Sequence, residues 1–445
     1  MGMEHEDRPD RRVAAGEGTT ESTPDGLSAG LARSGDAARH DVIFSGGAVI
    51  APGDGDVTEI AQGYVAVRDG RISAVGPLAE AGDLVADERI DTTGQVMLPG
   101  FVNAHTHMAM VCFRGLADDV DLHDFLTAVT TAESAELDPP ATRVAARDGA
   151  TEMLAGGTTS ACEMYFFHDA VAAGARDAGL DIHTGATFIT YPNPDTRDFG
   201  TWLRETRAEL AAARAAGDQP MLCPHSTYGL EAEHLQAIGE LAAEFDARIH
   251  VHASETQREV DDVVAKHGAS PIQVLKRYGL LGPRTVLAHA VVLDDADIAL
   301  IAVSGASVAH CPWSNLKLAC GVARVPDLRE AGVNVALGTD GAVSSNSLDM
   351  WLAVRLAATL HKGVTRSPRV VSAGEAIAMA TSAGGRALGD PLLGTLEVGA
   401  PANLQVLDVT GPHLSGRSGL VARLAYAATA ADVRDVYVAG RRVTP

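Results

Sequence analysis

An eightfold alternation between residues 97 and 398 constrains this chain more than any other feature. Short runs rich in Val, Leu, Ile and Ala predict strands at 97–104, 158–163, 181–187, 220–225, 247–252, 285–290, 306–310 and 333–338. The stretches between them are rich in alanine and charge, and 139–155, 168–178, 200–215, 231–246, 294–303 and 348–361 predict helices. Asp138-Pro139 gives one helix a clear start, an acid to cap free N–H groups and then proline at the first helical position. Such alternation calls for an α/β fold with parallel strands and helical crossovers. A (β/α)8 barrel of TIM type and a doubly wound open sheet share the pattern, so the chemistry at the strand ends has to separate them.

The flanks read differently. Asp41-Val42-Ile43-Phe44, Ala48-Val49-Ile50, Tyr64-Val65-Ala66-Val67 and Ile72-Ser73-Ala74-Val75 look like short strands, the last two joined by an Asp69-Gly70 hairpin turn. Similar runs return at 403–407 and 436–443, so 41–96 plus 399–445 are expected to form one small β-sandwich domain from both chain ends. Residues 1–40 are polar and charged without an apolar run, which suggests a disordered tail and no secretory signal. Five cysteines, none in a CxxC pair, read as reduced thiols of a cytoplasmic protein. A formal net charge of −23 argues against sequence-independent binding to nucleic acid or to an anionic membrane, which need a basic surface.

Four predicted strands end in groups able to hold a metal or move a proton. The first ends in His105-Thr106-His107, where the i, i+2 spacing turns both imidazoles to one side. The fifth leads through His250-Val251-His252 to Glu255, the sixth ends at His289, and the eighth runs through Gly338-Thr339 to Asp340. Singly, each has an ordinary explanation as a satisfied polar group, and Asp340 as a turn or N-cap acid. Together, on a barrel whose C-terminal strand ends converge on one face, two imidazoles from one strand, one from another and a carboxylate can surround a single ion. No CxxC or HExxH motif competes for that ion.

The segments Leu98-Pro99-Gly100-Phe101-Val102-Asn103-Ala104-His105-Thr106-His107, Pro224-His225-Ser226, His252-Ala253-Ser254-Glu255, Ala309-His310-Cys311-Pro312, Ser314-Asn315-Leu316-Lys317-Leu318 and Leu337-Gly338-Thr339-Asp340-Gly341-Ala342 resemble the amidohydrolase superfamily. Within it the chain is most similar to the branch of cytosine-, guanine-, chlorotriazine- and adenosine-type deaminases, and to 5′-methylthioadenosine/S-adenosylhomocysteine deaminases above all. The resemblance runs from about Asp41 onward. It implies the barrel with a small β-domain, and one divalent metal, zinc by preference, on His105, His107, His252 and Asp340. Pro224-His225 stands where binuclear relatives carry a lysine, which implies a mononuclear site.

In such a site Glu255 shuttles a proton from water to a ring nitrogen, Asp340 takes the second proton, and His289 hydrogen-bonds the attacking oxygen. The resemblance further implies His225 on a purine ring nitrogen and Glu133 on ribose hydroxyls. Trp313, Phe113 and Cys311 are candidates for the pocket wall or equally for the core. His310 and Asn315 are expected to order the loop after the seventh strand. Relatives that take S-adenosylhomocysteine hold its carboxylate with arginines. Here Gly185 stands at one such position, and Arg197 is the candidate for a second. The expected activity is therefore hydrolytic deamination of an adenine nucleoside whose 5′ group is not a zwitterionic tail. An aminohydrolase of another ring (guanine, pterin, s-triazine) is the second reading, and a ligand-binding barrel without turnover the third. The partner is a small heterocyclic molecule, with a homo-oligomer left open.

Overall fold

A computed structural model of the chain describes residues 39–53, 57–195 and 197–443. The expected tail at 1–40 lies outside the described residues apart from Arg39 and His40, and His40 already opens a strand.

The alternating region contains two parallel sheets. One has four strands in the order Asp181–Thr184, Thr158–Glu163, Phe101–His107, Asp340–Gly341. The other has six, in the order Ala186–Phe188, Met221–Pro224, Arg248–Ala253, Thr285–His289, Ser307–His310, Val335–Leu337. Two chain segments are shared between the sheets. Thr184 pairs with Glu163, whereas Ala186, one residue past Gly185, pairs with Leu222. Leu337 pairs with His310, whereas Asp340 pairs with Thr106. Gly185 is required at its interruption: a Cβ there would stand 2.1 Å from the Met221 carbonyl oxygen. No side chain, an arginine included, fits at that position.

The run expected as one strand over 97–104 is two. Gln95–Pro99 pairs antiparallel with Leu404–Asp408 in a terminal sheet, and Phe101–His107 starts the parallel array. The division falls at Gly100, whose N–H turns to the Asn403 carbonyl at 3.0 Å. The histidine-bearing strand thus begins later and ends later than expected.

Helices cover the parallel strands and bury the alanine-rich faces that the sequence sets out. Pro139–Ala155 starts where Asp138 accepts the Ala141 N–H at 2.8 Å, and it lays Ala146, Ala150, Met153 and Leu154 into the main core. Met350–Thr365 brings Trp351 edge-on to Phe101 at 4.7 Å between ring centres. A helix over Leu122–Glu136, absent from the predicted set, follows the first parallel strand; only Phe125, Val129 and Glu133 of it are buried. Its three threonines, Thr127, Thr130 and Thr131, weaken the apolar stripe by which a helix is read from sequence.

The chain ends form two further sheets. One orders Arg71–Pro77, Gly63–Arg68, His40–Ser45 and Ala86–Asp91; the other orders Arg441–Arg442, Val433–Val438, Leu404–Asp408, Gln95–Pro99, Ala48–Pro52 and Val57–Ile60. The Asp69-Gly70 turn has positive φ at both residues (52° and 72°), as a tight hairpin of the predicted kind needs. Phe44, Val65, Val67, Met97, Leu404, Val406 and Tyr437 share one cluster across these sheets, each side chain contributing roughly 1.5–3 kcal/mol by burial. Among the described residues no helix is long and apolar enough to cross a membrane.

Candidate active site

The parallel strands carry their polar groups at their C-terminal ends. His105 and His107 close Phe101–His107, His252 lies near the end of Arg248–Ala253, His289 ends Thr285–His289, and Asp340 opens Asp340–Gly341. The backbone bends sharply at three of these ends. Ser254, His289 and Asp340 have φ of 54°, 71° and 61°, left-handed values that cost non-glycine residues on the order of 1 kcal/mol each. Such conformations persist only where surrounding contacts hold them, and they re-aim the side chains inward.

Four side chains meet at one point. The Nε2 atoms of His105 and His107 each lie 3.4 Å from Asp340 Oδ1, and His107 Nε2 lies 3.2 Å from His252 Nε2. The other ring nitrogens are already engaged: His107 Nδ1 with the Met164 carbonyl, His252 Nδ1 with the His225 carbonyl at 2.8 Å, and His105 Nδ1 with His250 Nε2 at 2.9 Å. A carbonyl can only accept, so His107 and His252 carry their protons on Nδ1 and present bare Nε2 lone pairs to each other. Burial, reinforced by the neighbouring imidazoles, pushes His107 down to about 4 and His252 well below its usual value, so both are neutral at pH 7. Burial works to raise the Asp340 carboxyl, but the imidazoles of His105, His289 and His107 outweigh it and keep it ionised.

This arrangement fits a divalent metal. Two lone pairs 3.2 Å apart repel, and His105 Nε2 is buried without a hydrogen-bond partner. Ligand atoms on a tetrahedral zinc at ~2.0–2.1 Å sit about 3.3–3.4 Å from one another, which matches the spacings here. Three nitrogens and a carboxylate are a donor set suited to zinc.

Buried carboxyls and hydroxyls surround the cluster. Glu255 is buried, with Oε1 3.6 Å from the Cys320 thiol and 3.8 Å from His289 Nδ1. Burial first, then the charges of Asp340 and Glu259, pushes its carboxyl well above the usual range. Glu259 secures the bend that bears it by accepting the Ser254 and Glu255 N–H groups at 3.0 and 2.6 Å. Asp340 Oδ2 accepts hydrogen bonds from Ser314 and, at 2.7 Å, from Ser344.

A cavity of about 790 Å³ opens onto His107, His252, His289, Asp340 and Glu255. Glu133 and His225 line it as well. Tyr165 donates to Glu133 Oε1 at 2.6 Å, and burial raises the Glu133 carboxyl to about 7 against that bond. His225, pushed down to about 3 by burial, stands with its ring 4.7 Å from that of His252.

Trp313 and Arg197 lie away from the cavity, and of the two readings open for Phe113 and Cys311 the core holds. Trp313 is not among the lining residues; it is 38% exposed and its indole N–H donates to the Ser345 carbonyl. Arg197 is also absent from the lining, because its guanidinium is committed to Asp195 and Glu205 and sits over the Trp202 ring. Phe113 packs with Phe125 and Val129 behind the wall, and Cys311 is buried with its thiol toward the Ala309 carbonyl. His310 faces His361 at 3.3 Å, and Asn315 contacts His289 at 2.9 Å. The sequence did not point to Tyr165, Tyr228, Thr187 or Glu259, all of which line the cavity. Tyr165 had a usable signal: it lies two residues past Glu163, the last residue of a parallel strand.

Residues 96–443 match the model of the amidohydrolase family. The chain belongs to that family. This amidohydrolase is 38% identical to the 5-methylthioadenosine/S-adenosylhomocysteine deaminase of Syntrophobacter fumaroxidans, over 91% of this chain and 93% of the relative. It is 39% identical to the 5′-deoxyadenosine deaminase of Methanothermobacter thermautotrophicus, over 87% and 90% respectively. Among solved structures, an adenosine deaminase from Xanthomonas campestris with bound zinc shares 34% identity and a TM-score of 0.86, covering 91% of this amidohydrolase and 93% of that chain.

Proposed function

We propose that this amidohydrolase is a zinc-dependent hydrolytic deaminase of an adenine nucleoside, releasing ammonia and the inosine-type product. The observation that carries the reading is the meeting of bare imidazole nitrogens and the Asp340 carboxylate on the floor of a cavity that also holds Glu255, Glu133 and His225. Relatives named as deaminases of adenine nucleosides, at 38% and 39% identity over most of the chain, support it.

His105, His107, His252 and Asp340 would hold the metal. When bound, it supplies Lewis acidity that brings the pKa of a coordinated water toward ~7. Glu255 takes a proton from the attacking water and delivers it to the purine nitrogen beside the amino-bearing carbon, which makes that carbon electrophilic. A buried carboxyl with raised proton affinity suits this transfer, and groups in such a role contribute about 10²–10⁴-fold. His289 donates to the attacking oxygen. Asp340, its Oδ2 held by Ser314 and Ser344, accepts the second proton and returns it to the leaving amine. The carbon–nitrogen bond breaks, a carbonyl forms, and ammonia departs. His225 contacts the purine edge, and Glu133 with Tyr165 takes the ribose hydroxyls.

In this reading the 5′ group meets the apolar part of the lining, which includes Leu122, Phe125, Leu126, Val129, Ile189 and Val263. The lining cations Arg258 and Lys266 are ion-paired with Asp262 and Glu231, position 185 admits no side chain, and Arg197 is engaged elsewhere. These features favour an uncharged 5′ substituent over an amino-acid tail.

The finer architecture belongs to the same reading. The two parallel sheets form one closed (β/α)8 barrel from Phe101 to about 398, supported by the two segments that pair with both sheets, and the terminal sheets form a small sandwich from 40–99 plus 399–443, its inner boundary three residues beyond the expected 96. Ammonia release from adenine nucleosides, guanine, pterins and aminotriazines, with zinc-loaded protein beside Glu255→Gln, tests the function. Turnover of a ribosylated adenine, lost in the variant, is the expected result. Turnover of a free base or a triazine alone would replace the adenine-nucleoside assignment.

A further inference from the structure

We infer that Asn315 is a positioning residue that fixes the tautomer of His289, keeping that ring out of the metal's ligand set and turning it into a proton donor toward the reacting oxygen. A ring nitrogen of His289 lies within 4.8 Å of ring nitrogens of both His105 and His252, so proximity alone does not distinguish it from a ligand. Its hydrogen bonding does.

Asn315 lies on the short helix Pro312–Lys317 and is 1% exposed, with its amide Nδ2 2.9 Å from His289 Nδ1. An amide NH₂ can only donate, so Nδ1 must be the bare nitrogen of a neutral ring and the proton resides on Nε2. The nearest competitor, Glu255 Oε1, is 3.8 Å from Nδ1, beyond hydrogen-bond reach. His107 and His252 show the opposite polarity. Their Nδ1 atoms face the carbonyls of Met164 and His225, which puts the proton on Nδ1 and leaves Nε2 bare. His107, His252 and His289 are thus sorted by their outer partners: a carbonyl behind each of the first two makes a ligand, and the amide behind His289 makes a donor.

Two further observations bear on Asn315. Its Oδ1 is buried without a hydrogen-bond partner, so the contact of Nδ2 with His289 is the hydrogen bond that holds the buried amide. Its backbone carbonyl accepts the Cys320 N–H at 2.9 Å, closing a turn through Ala319 (φ 54°) that sets the Cys320 thiol against Glu255. One short segment therefore buttresses His289 and Glu255 together.

The kinetic consequence rests on the deaminase reading above, whereas the tautomer is a property of the resting protein. The test is nitrogen-15 NMR of zinc-loaded protein labelled at histidine, with His289 assigned by its loss in His289→Gln. The expected result is a protonated Nε2 and a bare Nδ1 in the unsubstituted protein, inverted in Asn315→Asp, whose carboxylate can only accept. A protonated Nδ1 in the unsubstituted protein overturns the inference without any variant having to fold. An unchanged tautomer in a folded, zinc-bearing Asn315→Asp or Asn315→Ala overturns it as well. In the kinetic arm, Asn315→Asp lowers kcat by about 10²-fold with KM little changed, the cost of a misplaced proton donor. Absence of adenine-nucleoside turnover in the unsubstituted protein would refute the deaminase reading, while the NMR result would still decide the role of Asn315.

Discussion

A histidine can offer a lone pair or a proton from the same ring position, and a carboxyl can hold a charge or a hydrogen; in this cavity burial and single neighbours make each choice. Glu133 illustrates the thermodynamic side. Its carboxyl, 4.5 in water, rises to about 7 by burial, so between those values the folded chain holds a proton that the unfolded chain releases. Stability contributed by this group is therefore full below about pH 4.5 and is lost as pH rises through 7, by roughly 3 kcal/mol in all. Replacing Glu133 with Gln should flatten that part of the stability–pH curve, as measured by denaturant unfolding between pH 5 and 8 with metal-free protein. An unchanged slope would show that the carboxyl is not held protonated. His252 makes the corresponding prediction for metal. His252→Ala should weaken zinc binding by at least about 100-fold, more than an outer partner's loss costs, and metal analysis after dialysis reads this directly. Retention of one zinc per chain would remove His252 from the ligand set.

Elements decide which of these residues meet. The sequence made the strand ends legible because a histidine pair at i, i+2, a lone strand-end histidine and a Gly-Thr-Asp-Gly turn each stand out against Val- and Ala-rich runs. It made the wall far less legible. Glu133 lines the cavity and was named through the resemblance alone, because the threonines of its helix Leu122–Glu136 blur the period, and Arg197 is engaged by Asp195 and Glu205, which its sequence position does not reveal. Trp313 belongs to a six-residue helix too short for periodicity to orient, and it is not among the cavity-lining residues. The interruption at Gly100 was signalled by the Pro99-Gly100 pair, a turn signal passed over inside an otherwise apolar run, and pairing with Asn403 and Leu404 shows the break. Leu122–Glu136 supports an element-level prediction. Asp121 caps its first turn, accepting the His123 and Asp124 N–H groups at 2.9 and 3.0 Å, and replacement by Ala costs about 1 kcal/mol of local stability. Because this helix bears Glu133 and the apolar wall but none of the strand-end groups, Asp121→Ala should raise KM several-fold and leave kcat nearly unchanged. Steady-state kinetics on the best substrate of the panel would show it, and a fall in kcat alone would place the helix in the chemistry instead.

At the scale of the molecule the candidate ligands come from three strands, so a bound metal cross-links distant parts of the chain. Binding only to the folded state adds about 4 kcal/mol when free metal exceeds its dissociation constant 1,000-fold. Chelation should accordingly lower the unfolding midpoint, and zinc should restore it together with activity. A midpoint indifferent to chelator would mean that the cluster holds no metal in solution.

The pairing of Asp340 with Thr106 has a consequence in time. These residues are 234 positions apart, and at ~5–20 residues per second a ribosome needs roughly 12–47 s to pass from one to the other. During that interval His105 and His107 exist without the carboxylate that completes their set. A nascent or truncated chain ending before residue 340 thus has no complete cage, and metal occupancy becomes a certificate that synthesis has reached the last parallel strand and that the first parallel strand has received it.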